Sequence, residues 1–139
     1  MPLDLYLAGT ADHLILGTLE PRLSLPESGL TGLLLAIQEF TGPSTAHGGP
    51  TLDECGTNVF GRADLPRLRE SLFRAAAHFR EGPSSFQVWV GREVIPLERD
   101  LFQEVTREQV LSAVLGIHRV VEEAIQTGSW LFAVGESPR

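Results

Sequence analysis

Residues 106–128 constrain the fold more tightly than any other stretch of the chain. Thr106-Arg107-Glu108-Gln109 is a capping box: the threonine hydroxyl covers the Gln109 N–H, and the glutamine side chain reaches back to the start of the box. Behind it, Val110, Leu111, Val114, Ile117, Val121 and Ile125 recur at helical spacing, and Gly128 closes the run. A helix with one apolar stripe has to bury that stripe against a sheet or other helices. The remaining segments must supply the partner, and their periodicities show of what kind.

Two more helices are legible. Ser28 caps one that runs to about residue 40, with Leu30, Leu33, Leu34 and Ile37 on one face and Gly42-Pro43 as its stop. Gly29 and Gly32 weaken its start, and Gly32 marks a place where another backbone can approach. Asp64 caps the other, with Pro66 in its first turn. Leu65, Leu68, Leu72, Ala75, Ala76 and Phe79 form its buried stripe, Arg67, Glu70, Arg74, His78 and Glu81 take the polar side, and Gly82-Pro83 ends it.

Strand period appears in Leu3, Leu5 and Leu7, alternating with Asp4 and Tyr6. Residues 13–19 are a second apolar run, joined to the first by turn residues at 9–12, which predicts a hairpin with 13–19 as a central strand. A proline-rich connection follows to Pro26. Thr57–Phe60 is a short strand. Phe86, Val88 and Val90 alternate with Gln87 and Trp89, and Gly91-Arg92 predicts a turn into a second hairpin strand at 93–97, demoted to an edge by Pro96. Trp130–Val134 is the last strand, and residues 136–139 are a frayed tail.

The order ββα-loop-(β)α-ββ-α-β predicts an α+β fold in a single domain, 1–139. Its sheet is mostly antiparallel, built from two hairpins plus the C-terminal strand, with about three helices packed mainly on one face. A chain of 139 residues can bury about two thirds of its unfolded surface, so it needs no staples.

Between the first two helices, residues 41–58 form a long loop without periodicity, the kind of connection that is functional or disordered. It holds the single cysteine, Cys55, with His47 and the acidic pair Asp53 and Glu54. Cys55 and His47 would make a nucleophile and its base, but the two carboxylates beside the thiol disfavour a thiolate. Gly42-Pro43-Ser44-Thr45-Ala46 loosely matches a nucleophile elbow and His47-Gly48-Gly49 an oxyanion tripeptide; the strand-to-helix context that both need is absent. His47, Asp53 and Glu54 fit no metal-binding spacing, so no metal and no cofactor is expected.

Elsewhere, His118 falls between Val114 and Val121 and reads as a hydrogen-bonded core residue or, alternatively, the wall of a pocket. His13 and His78 read as surface residues. Arg67 and Arg74, with Arg62, Arg69 and Arg80 nearby, could grip a carboxylate or phosphate, although the interleaved Glu70 and Glu81 suit a salt-bridged solvent face. Trp89 lies opposite Phe86, Val88 and Val90; it is either covered or an exposed interface anchor, and Trp130 poses the same choice.

The charge balance narrows the partners. A net charge of −7 argues against nucleic acid. Residues 1–61 carry one Arg against seven acids, whereas residues 62–80 carry five Arg against two. The absence of lysine excludes Schiff-base and P-loop lysine chemistry and suits a GC-rich bacterial genome. One cysteine excludes an internal disulfide and fits a reducing, cytoplasmic setting. The first residues lack a signal-peptide pattern, and no apolar run can span a membrane.

These features predict a small acidic protein-interaction module, more a binder than an enzyme, with a protein partner or a second copy of itself. One version is an inhibitor of the immunity type that neutralises a basic partner, with Asp53, Glu54 and Trp89 as contacts. The alternative is a small enzyme or ligand-binding protein with a pocket between the sheet and the last helix, near His118, His47 and Cys55.

Overall fold

In the computed structural model, residues 2–9, 20–42 and 50–135 are described. The capping box forms as its chemistry dictates: the Gln109 N–H donates to Thr106 Oγ1 at 3.1 Å and the Thr106 N–H to Gln109 Oε1 at 3.0 Å. The resulting helix, Arg107–Thr127, ends at Gly128 in the left-handed region, φ 67°. In chain order the elements are β1 (Leu3–Ala8), β2 (Leu23–Leu25), α1 (Leu30–Thr41), β3 (Thr57–Phe60), α2 (Leu65–Arg80), β4 (Ser85–Glu93), β5 (Arg99–Thr106), α3 (Arg107–Thr127) and β6 (Trp130–Val134). The protein is α+β with antiparallel sheets, as the element order predicts.

Four strands form the main sheet in the order β2-β1-β6-β3, every neighbouring pair antiparallel. β6 is central, and Leu131, Phe132 and Ala133 are all fully buried, so both of its faces are covered. From α3, Val110, Val114, Ile117 and Val121 enter the core, widened by Ala113, Val120 and Ala124. All six predicted apolar residues of α2 are buried, and α2 packs along α3.

β4 and β5 stand apart as a two-stranded sheet rather than extending the main one. The predicted turn at Gly91-Arg92 is absent. β4 continues to Glu93, and Gly91, at φ 156°, takes up a register shift after Trp89. The chain reverses at 94–98 instead, so the residues predicted as the second strand are the exposed tip, and β5 runs from Arg99 to the capping box. Ion pairs Arg99–Glu93 (2.7 Å) and Arg92–Glu98 (2.9 Å) bracket the reversal.

Other differences have local causes. β1 pairs with β2, inside the stretch expected to be a connection, where Leu23 and Leu25 meet Leu5 and Leu3. The predicted strand at 13–19 and the tail at 136–139 lie outside the described residues. The helix α1 starts at Gly29, φ 73°, not at a Ser28 cap. The Asp64 side chain accepts from the Gly61 N–H at 3.0 Å rather than from a helix N–H.

The predicted 41–58 loop is partly interior. Leu52 is 0% exposed and joins the core, and Thr51 is buried with its hydroxyl donating to the Gly42 carbonyl at 2.6 Å. Gly135 makes room for this segment: a Cβ there would lie 2.2 Å from the Glu54 carbonyl oxygen, and the Gly135 N–H donates to the Gly56 carbonyl at 2.8 Å. Residues 43–49 lie outside the described set.

Candidate functional site

Among the described residues, the β4–β5 arm carries most of the exposed large hydrophobic side chains. Alternation along β4 and β5 sorts its side chains. Phe86, Val88 and Val105 turn inward and join the core, whereas Gln87, Trp89, Phe102 and Glu104 are exposed. Trp89 and Phe102 are direct cross-strand partners, 54% and 59% exposed. The indole Nε1 of Trp89 donates to Asp100 Oδ1 at 3.1 Å, which holds the ring at the arm's surface. At the tip, Val94, Ile95 and Leu97 are exposed as well. Five of the seven exposed large hydrophobic residues among those described therefore sit on this arm. The others, Phe73 and Leu115, are on helices.

The arm is fastened at its base. Gln103 of β5 donates from Nε2 to the Gly29 carbonyl at 2.6 Å and accepts the Gly32 N–H on Oε1 at 3.0 Å. Both groups belong to the start of α1, where helix N–H groups lack partners within the helix. Gly32 is needed because an amide side chain, not a second backbone, sits against it: a Cβ there would fall 2.5 Å from Gln103 Cδ.

A groove of about 480 Å³ runs between β4, the exposed flank of α1 and the end of α2. Leu35, Ala36, Phe79, Phe86 and Val88 line it, with Glu39, His78 and Trp89 among its polar and aromatic lining. Phe79 stacks on Phe86 at 5.6 Å, with the rings 10° from parallel, and meets Phe40 edge-on at 5.5 Å. His78 closes this cluster, 5.2 Å from both Phe40 and Phe79.

The residues singled out by sequence are scattered. Glu54 accepts two contacts from the Thr31 hydroxyl, at 2.8 and 3.1 Å, tying the loop to α1. Asp53 Oδ1 accepts the Cys55 N–H at 3.3 Å, and Cys55 is exposed. His47 lies outside the described residues. His118 is not a core residue: about a quarter turn from the centre of the α3 stripe, its side chain is 29% exposed and Nε2 lies 3.8 Å from Glu122. Glu122 is also 3.6 Å from Arg69, so it bridges α2 and α3. His118 lines neither the groove beside β4, nor the cleft at Arg67 and Arg74, nor the one between β2 and the start of α3.

Arg67 and Arg74 do share a cleft of about 200 Å³, with Ser71 between them. Each has a partner on its own helix: Arg67 meets Asp64 at 3.4 Å and Arg74 donates to Ser71 Oγ at 3.4 Å. Trp130 is half-buried over Gly61. Among the described residues no three His, Cys, Asp or Glu side chains gather as a metal site, and no helix is long and apolar enough to cross a membrane. The phenol of Tyr6 has its pKa raised, by burial first and then by the neighbouring Asp4 carboxylate.

Of the arm's exposed residues, sequence singled out only Trp89. Phe102 was detectable in principle, because strand spacing puts it on one face with the acidic Asp100 and Glu104. The tip was hidden because Val94, Ile95 and Leu97 look like a strand. Comparison of the chain with protein-family models, with curated proteins and with solved structures gave no match.

Proposed function

We propose that this chain is a protein-binding module that docks through the β4–β5 arm. One observation carries the reading: five of the seven exposed large hydrophobics among the described residues lie between Trp89 and Phe102. Aromatic anchors in an exposed apolar patch are the residue types that dominate interface energetics. The net charge of −7 suits a basic partner, so an immunity-type inhibitor is the concrete version. Lysine-free composition and a lone cysteine support a bacterial, cytoplasmic setting.

The docking surface moves relative to the sequence-based expectation. Trp89 stays a contact residue. Asp53 and Glu54 bond to their own chain and recede as contacts. The small-molecule alternative keeps a cleft of about 300 Å³ between β2 and the start of α3, but His118 does not line it.

The test is affinity capture from the source cell with wild-type protein and with the double variant Ile95→Asp, Leu97→Asp. Both side chains are more than 70% exposed, so the fold should lose no more than about 0.5 kcal/mol. A partner held by wild type and lost by the variant supports the reading, as does its release at about 0.5 M salt. Undiminished capture by the variant refutes it.

A further inference from the structure

We propose that the groove beside β4 receives an extended, basic segment of the partner, which adds to β4 as a third strand of the arm. This rests on the docking role of the arm and names what occupies it.

The edge comes first. β4 pairs with β5 alone, so along its other side backbone N–H and C=O groups of alternate residues face no strand among the described residues. An open edge of this kind templates strand addition, in which main-chain hydrogen bonds supply affinity and side-chain pockets supply selectivity. β4 is nine residues long, enough to register such a segment.

The groove supplies the pockets. Four consecutive residues of β4 line it and none of β5, so it draws on both faces of β4 on the side away from its partner strand: Phe86 and Val88 from one face, Gln87 and Trp89 from the other. A strand laid there would direct alternate side chains to the two sides. On the inner side they would meet the Phe79–Phe86 stack and the aliphatic flank of α1.

Charge selects the segment. Apart from the His78 imidazole, Glu39 is the lining side chain that ionises, and it forms no ion pair among the described residues. It is also the sole charged residue of α1, whose last turn carries no basic residue, so the carbonyl end of that helix adds to its negative field. The half-exposed Trp89 offers an aromatic face to a cation. An arginine or lysine directed to the inner side would meet Glu39, and one directed to the outer side would meet Trp89, so either register of an alternating basic strand finds one of them. A second copy would bring its own net charge of −7, so charge favours a basic partner over self-association.

The experiment uses the isotope-labelled 139-residue chain and a capped peptide of about eight residues alternating arginine and valine. Two controls replace arginine by glutamate or N-methylate alternate amides. The arginine peptide should shift the β4 amides and the Trp89 indole signal and slow exchange of alternate β4 amides. N-methylation should weaken binding by about tenfold or more, and the glutamate peptide should not bind. Glu39→Gln should weaken the arginine peptide by about two- to fivefold.

The proposal is overturned if the arginine peptide leaves β4 unshifted, if N-methylation has no effect, or if glutamate serves as well as arginine. Concentration-dependent protection of β4 without peptide would assign the groove to a second copy and also overturn it. A captured partner that depends on Ile95 and Leu97 yet leaves β4 amides unprotected would keep the docking arm and reject strand addition. Capture that ignores the arm would reject both.

Discussion

Replacing Gly32 by alanine puts two effects in opposition. In a helix, alanine is favoured over glycine by about 1 kcal/mol. Here the new Cβ would lie within 2.5–2.7 Å of the end of the Gln103 side chain. That end is flexible and can swing away, so the cost is not the collision itself. It is the loss of two hydrogen bonds, to the Gly29 carbonyl and from the Gly32 N–H. At about 0.5–1.5 kcal/mol each, that loss outweighs the propensity gain, leaving a net destabilisation of about 1 kcal/mol. In a Gln103→Ala background neither bond exists and the space is open. There the same substitution should stabilise by about 1 kcal/mol. The sign reversal amounts to a coupling of about 2 kcal/mol in a double-mutant cycle. Urea denaturation of the four proteins measures it, and amide exchange in β5 reports whether the arm loosens. If Gly32→Ala stabilises equally in both backgrounds, Gln103 contributes nothing to the attachment of the arm and the reasoning fails.

Two further outcomes follow from the core and from Tyr6. Leu52→Ala should cost about 2–5 kcal/mol by denaturation, because Leu52 is fully buried; a loss under about 0.5 kcal/mol would mean that the loop is not packed. The raised Tyr6 pKa makes the folded state hold the phenolic proton more tightly than the unfolded chain. Its contribution is therefore complete below about pH 10 and lost as the pH rises through the folded value. Tyr6→Phe should flatten the fall in stability above pH 10 seen in thermal melts; an unchanged alkaline slope would contradict the shift.

Placement of the site depended on contacts remote in sequence. Trp89 is recognisable from its alternation with Val88 and Val90, but whether it is covered depends on what packs against the arm. The Gln103 clamp joins residues 74 and 71 positions apart. Glu39 is an ordinary exposed helix carboxylate until α2 and β4 are brought beside it. Conversely, Asp53 and Glu54 looked free because neither the Asp53 bond to Cys55 nor the Thr31 contact, 23 positions from Glu54, leaves a periodic trace.

The sequence by itself determined the three helices, the stop of α3 at Gly128, the strands β1, β3 and β6, and the α+β class. Each of these rests on side-chain period or capping, which a segment carries within itself. Tertiary structure alone decided that β4 and β5 leave the main sheet, that Leu23–Leu25 is a strand, that Leu52 is interior and that the arm's apolar residues face outward. Strand pairing and coverage are interactions between distant segments, and their free energy is set by what each face meets after the chain has folded.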